Sequence, residues 1–194
     1  MSWTHVGRLW TNGEPYLAID GDLRQHWHGA DDETYEQLVT TLAAEPVSIP
    51  VGSATAALLG DGVVRDDSWM EVFTAANGHI AIIQAGGPDY RTSVAAALSY
   101  PLGADDLAAD IEVPSGHIAL FSSACDGVGE GSMELYGPRP GQVPTEHGWA
   151  PRELATGLLL PASSPLYRVR SRSYTELDEG GCFARWLLIP ATTD

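Results

Sequence analysis

With 194 residues, 44% of them hydrophobic, and a formal net charge of −16, the chain holds enough apolar side chain to bury a core, and wholesale disorder is excluded. All 10 basic residues are arginine, which excludes a Schiff-base lysine and a phosphate-loop lysine. No apolar run approaches the ~20 residues of a bilayer-crossing helix, and "MSWTHVGRLW" at the start has no basic segment leading into an apolar stretch, so the expectation is a soluble, cytoplasmic protein with no membrane partner.

In chain order, Asn12-Gly13 signals a turn and "PYLAID" (15–20) a short strand. The segment "GADDETYEQLVTTLAAEP" predicts a helix. Asp31 or Asp32 can cap it, acids fill its first turn, and Tyr35, Leu38, Val39 and Leu42 fall at helical spacing before Pro46. "VSIPVG" (47–52) and "TAALLG" (55–60) read as short strands split by Gly52-Ser53. "SWMEVFTA" (68–75) and "GHIAIIQA" (78–85) form the strongest hairpin signal. A shorter helix is predicted over 89–100, stopped by Pro101. "DIEVP" and "GHIALFS", flanking Ser115-Gly116, read as a second hairpin, and "DGVGEGS" (126–132) as a loop. "GLLLP" comes after the Pro/Gly-rich stretch 137–151, and then "LYRVRSRSY" and "CFARWLLIP" make a third hairpin across "ELDEGG".

The phrase Gly-His-Ile-Ala-aliphatic occurs at 78 and at 116, with a looser copy at "NGEPYLAIDGD". These copies are short and unevenly spaced, which does not fit a solenoid or propeller; similar strands following similar turns, or a worn internal duplication, account for them. The predicted class is α+β: a mainly antiparallel sheet built from hairpins, with two or three short helices. Its expected organisation is an acidic region over 1–136, a connection over 137–151, and a C-terminal hairpin region over 152–194 packed on the same fold.

The charge is unevenly placed. Residues 1–134 hold 20 acids against Arg8, Arg24, Arg65 and Arg91, while 135–194 are neutral overall. A chain without a basic footprint is a poor nucleic-acid binder, and a strong negative field steers basic proteins toward it.

No enzyme motif completes itself. His26 and His28 form the one close histidine pair, beside Asp20, Asp22, Asp31 and Asp32, but no second cluster supplies the remaining metal ligands. His79 and His117 could meet if their strands were adjacent. Ser122, Ser123, Cys125 and Asp126 stand at a strand end without a nucleophile-elbow pattern. Cys125 and Cys182 are too few for a disulfide framework and are expected to be free thiols. Arg168, Arg170 and Arg172 alternate on one strand face, where they offset Glu176, Asp178 and Glu179 or turn to the acidic region. Among six tryptophans, Trp27 and Trp149 lie in turn-rich contexts, which makes them candidates for exposed interface anchors.

The N-terminal half carries, in order, Gly13-Glu14-Pro15, Trp27-His28-Gly29, Tyr35 in an acidic helix, Ile49-Pro50-Val51-Gly52 and Ala57-Leu58-Leu59-Gly60. In these motifs it resembles immunity protein family 21 of bacterial polymorphic toxin systems over about residues 10–85, with Glu14 standing where the family pattern has a second glycine. The resemblance implies an inhibitor that binds a cognate toxin, such as a basic nuclease or deaminase domain, and occludes its active cleft. The reading is therefore of a binding protein, not an enzyme, with no cofactor and no metal. Its expected contact residues are Asp20, Asp22, Asp31, Asp32, Glu33 and Glu36, with Trp27 as apolar anchor. The competing reading is a small hydrolase or metal-dependent enzyme using His26 and His28, or Ser123 and Cys125.

Overall fold

A computed structural model describes residues 1–42, 47–60, 68–141, 143 and 156–191. Pro46, Trp149 and most of the 137–151 connection lie outside the described residues.

Within the described residues, twelve strands and two α-helices run in the order β1 (Trp3–Thr11), β2 (Tyr16–Asp20), α1 (Asp32–Leu42), β3 (Ser48–Val51), β4 (Ala54–Leu59), β5 (Ser68–Ala75), β6 (Ile80–Gly86), α2 (Tyr90–Ser99), β7 (Asp106–Glu112), β8 (His117–Ser122), β9 (Leu135–Tyr136), β10 (Gly157–Pro161), β11 (Leu166–Glu176) and β12 (Cys182–Pro190). They build two six-stranded sheets, β1-β5-β6-β12-β11-β7 and β3-β4-β2-β8-β10-β9. Every pairing among these strands is antiparallel except the short β9–β10 contact, so the α+β, hairpin-built class holds.

Strand alternation explains how the layers stack. One set of side chains, including Tyr16, Ala18 and Leu120 from one sheet and Val72, Ile82 and Trp186 from the other, forms a shared core between the sheets. The alternate residues of the same strands point outward and are buried again. Leu17, Ile19, Leu58 and Phe121 lie under Leu38 of α1 and Trp27. Phe73, Ala81, Ile83, Phe183 and Leu187 lie under Tyr90, Val94 and Ala97 of α2. The result is four layers, helix–sheet–sheet–helix. Strands covered on both faces read as unbroken apolar runs such as "IAII" and "WLLI", the pattern of sheets buried on two sides.

Two of the three expected hairpins form, β5–β6 and β11–β12, and the strands expected at 47–52 and 55–60 pair with each other as β3–β4. The hairpin expected across Ser115-Gly116 does not form. β7 pairs with β11, and β8 pairs with β2 and β10, so that turn passes the chain from one sheet to the other. The three similar phrases become β2, β6 and β8, each preceded by a glycine of positive φ (Gly13 99°, Gly78 81°, Gly116 75°). β6 and β8 lie in different sheets, so His79 and His117 are not strand neighbours. The C-terminal third is integral to both sheets: β10 sits between β8 and β9, and β12 between β6 and β11.

Candidate functional site

Helix α1 lies on the outer face of the β3-β4-β2-β8 part of its sheet. Asp31 starts it by accepting the Thr34 N–H at 2.9 Å, and this bond to its carboxylate holds the Asp31 pKa below its ordinary value. Only Leu38 is fully buried. Asp32, Glu33 and Glu36 are exposed, and two large apolar side chains one turn apart, Tyr35 and Val39, are 40% and 48% exposed. α1 thus presents an acidic surface bordered by an aromatic and an aliphatic side chain.

Of the seven expected contact residues, five are exposed: Asp22, Asp31, Asp32, Glu33 and Glu36. The other two are corrections. Asp20 is 1% exposed, at the end of β2. One carboxylate oxygen accepts the Asp22 and Leu23 N–H groups at 2.9 and 3.3 Å, and the other accepts the Ser115 N–H at 2.8 Å, so Asp20 ties the 20–23 turn to the inter-sheet turn. Trp27 is 8% exposed; its ring fills the layer under α1, and its Nε1–H donates to the Ser123 carbonyl at 3.0 Å. It is a core residue, and the exposed aromatic of this region is Tyr35.

His26 and His28 are both exposed and flank the buried Trp27, and no group of three or more His, Cys, Asp or Glu side chains placed to hold a metal ion occurs among the described residues. Ser122 Oγ donates to Glu14 at 3.1 Å, and Ser123 Oγ is buried without a partner; neither joins a histidine. Burial pushes the Cys125 thiol pKa up, with the charges of Glu14 and Asp126 adding to it, which is the opposite of nucleophile activation. Cys125 and Cys182 are free thiols.

Two buried ionic clusters that form no contiguous sequence motif lie under α2. In the first, a β-bulge between His5 and Gly7 brings His5 and Arg8 to the same face of β1. There His5 Nε2 donates to Glu71 at 2.7 Å and the Arg8 guanidinium at 2.6 Å, while the Tyr90 hydroxyl donates at 2.8 Å. Burial alone would raise the Glu71 pKa. The His5 hydrogen bond, the Arg8 charge and the Tyr90 hydroxyl outweigh it and hold Glu71 below its ordinary 4.5. A depressed carboxylate stabilises the fold above its unfolded-state pKa, and that contribution is lost as pH falls through the folded value. Urea midpoints measured from pH 6 downward should therefore fall below about pH 4.5, and Glu71→Gln should flatten that limb.

In the second cluster Arg185 and Asp105 are both fully buried as side chains and bond at 2.7 Å. Arg185 also donates to the Ala97, Tyr100 and Pro101 carbonyls, closing the C-terminal end of α2, and Arg172 adds a 2.8 Å bond to Asp105. Arg170 donates to the Asp105 carbonyl, and Arg168 reaches Asp110 at 3.6 Å. The three alternating arginines thus face acids of the N-terminal region rather than those of their own hairpin.

No helix among the described residues is long and apolar enough to cross a membrane. No family model matches the chain, and neither a curated protein nor a solved structure is significantly similar to it.

Proposed function

We propose that this protein is a binding protein of the immunity type, which neutralises a basic toxin by covering its active cleft with the outward face of α1. The observation that carries the reading is that α1 exposes Asp32, Glu33 and Glu36 beside Tyr35 and Val39 while committing only Leu38 fully to the core. A helix kept solely for packing would be expected to bury a wider apolar stripe. The division of labour comes from the chemistry. The acids attract a cationic partner and speed encounter, and Tyr35, an amphipathic ring with few rotamers to lose, anchors the complex. Arg8 and Arg185 are spent on buried carboxylates. Neither arginine pairs with an acid of α1, and the acidic excess of this part of the chain favours a partner that is basic, such as a nuclease or deaminase domain.

The test is co-purification of tagged protein with a basic partner at low and high salt, and then kinetics of the isolated pair. The triple variant Asp32→Asn, Glu33→Gln, Glu36→Gln should slow association by about tenfold or more at low salt with little change in dissociation. Tyr35→Ala should speed dissociation by about tenfold, equivalent to about 1.4 kcal/mol. All four side chains are exposed, so unfolding midpoints should stay close to wild type, within about 0.5 kcal/mol per substitution. A confirmed partner whose rates ignore both variants would remove α1 from the interface.

A further inference from the structure

A pocket of about 270 Å³ opens beside the turn that joins β1 to β2. It uses no residue of α1, and its chemistry is independent of the toxin reading. Trp10, Tyr16 and Met133 form its walls, and Asn12, Glu14, Ser122 and Cys125 complete it. Glu14 is held in place from two sides. Ser122 Oγ donates to its carboxylate at 3.1 Å, and Thr11 Oγ1 donates to its backbone carbonyl at 2.8 Å.

The charge of this pocket is unbalanced. Burial raises the Tyr16 phenol, with Cys125 and Glu14 contributing, and burial raises the Cys125 thiol, so both stay neutral at physiological pH. Glu14 is the one carboxylate side chain in the lining, and no arginine or histidine pairs with it among the described residues. The buried carboxylates Glu71 and Asp105 each hold an arginine, whereas Glu14 faces aromatic and thioether walls.

We infer that this pocket binds a guanidinium group, with the cation against Glu14 and its alkyl stem along Trp10, Tyr16 and Met133. The volume lies just below the range of drug-sized ligand sites, which suits one side-chain-sized cation. Guanidinium is favoured over ammonium because it is planar and weakly hydrated and gains from an aromatic wall. The protein uses that pairing elsewhere, with Arg8 4.0 Å from the Trp69 ring centre and Arg139 4.3 Å from that of Tyr136. The same chemistry could reach the pocket as a free small molecule or as an arginine side chain of another protein.

The test titrates the protein with L-argininamide, with the blocked tripeptide Gly-Arg-Gly, and with its citrulline counterpart, which has the same shape and no charge. Two readouts run together: tryptophan fluorescence, and the alkylation rate of Cys125 by iodoacetamide at alkaline pH, with Cys182 as internal reference. A guanidinium probe should saturate, quench fluorescence and slow Cys125 alkylation several-fold while leaving Cys182 unchanged. Glu14→Gln, checked for a wild-type melt, should weaken binding about tenfold or more, and the citrulline peptide should bind at least tenfold more weakly. Binding of both arginine probes assigns the pocket to a protein's arginine side chain, and binding of argininamide alone assigns it to a small molecule. Either supports the inference. No saturation, equal affinity for the citrulline peptide, or unprotected Cys125 at saturating probe overturns it, the last of these in the unmodified protein and so regardless of how the variant folds.

Discussion

Replacing Asp105 by asparagine should destabilise the protein by about 3–5 kcal/mol, among the largest losses available to a single isosteric change in this chain. Arg185 is fully buried, and its guanidinium has one charged partner, Asp105, alongside three backbone carbonyls. Neutralising the carboxylate leaves a desolvated cation whose hydration was given up on folding and whose compensation is gone. Arg172→Ala removes a second cation from the same carboxylate. It should cost less, about 1–2 kcal/mol, because Arg172 remains partly solvated and Asp105 keeps Arg185. The double variant Asp105→Leu, Arg185→Met should recover much of the Asp105→Asn loss, since removing both charges removes the desolvation problem. Urea unfolding of the four proteins decides the matter. Equal losses for Asp105→Asn and Arg172→Ala would mean that the Arg185 contact is not what holds the α2–β7 connection.

Trp27→Ala should cost about 3–5 kcal/mol, the range for emptying an aromatic site in a packed core. The indole lies among Leu17, Leu38, Ile49 and Phe121, and its N–H satisfies the Ser123 carbonyl. Trp27→Phe keeps most of the packing and loses the hydrogen bond, so about 1–2 kcal/mol is expected. Binding separates this role from that of a surface anchor. Under conditions where both variants are folded, Trp27→Phe should leave partner dissociation unchanged while Tyr35→Ala speeds it. A Trp27→Ala protein with a wild-type midpoint would return Trp27 to the surface.

What the sequence made legible was local. The hairpins β5–β6 and β11–β12, the short strands β3 and β4 and both helices are announced by turn residues and spacing within a dozen positions, and all of them form. The turn at Ser115-Gly116 has the same chemistry as the turns of true hairpins, yet it joins strands of two sheets, because partner choice is decided by residues 166–171 and 157–161 far along the chain. β1 escaped notice because its bulge breaks the alternation by which a strand is recognised. Asp20 and Trp27 sit in a stretch rich in acids and turn residues, which reads as surface. Their burial comes from Ser115 and Ser123, nearly a hundred residues away. Glu71 and Arg185 did leave a trace: each is a lone charge inside an apolar run, "WMEVF" and "FARWLLIP", where a charge has to find a buried partner. The exposed helix acids were readable; the pocket beside Glu14 was not, since its walls come from β1, β2 and the end of β8 and beyond.

The position of β12 bears on when the protein can act. It lies between β6 and β11, and β7 reaches its sheet only through β11, so residues 182–190 join a β1-β5-β6 unit to a β11-β7 unit. During synthesis the ribosome releases those residues after all the other strands of the sheet. Until then β6 offers an open edge of Ile80, Ala81, Ile82 and Ile83, a flank prone to mispairing. Pairings across such long stretches of chain also close slowly. Each new molecule therefore passes through a translational interval in which α1 and its acids have emerged while one sheet is still in two pieces, and completion of that sheet waits on the strand made last.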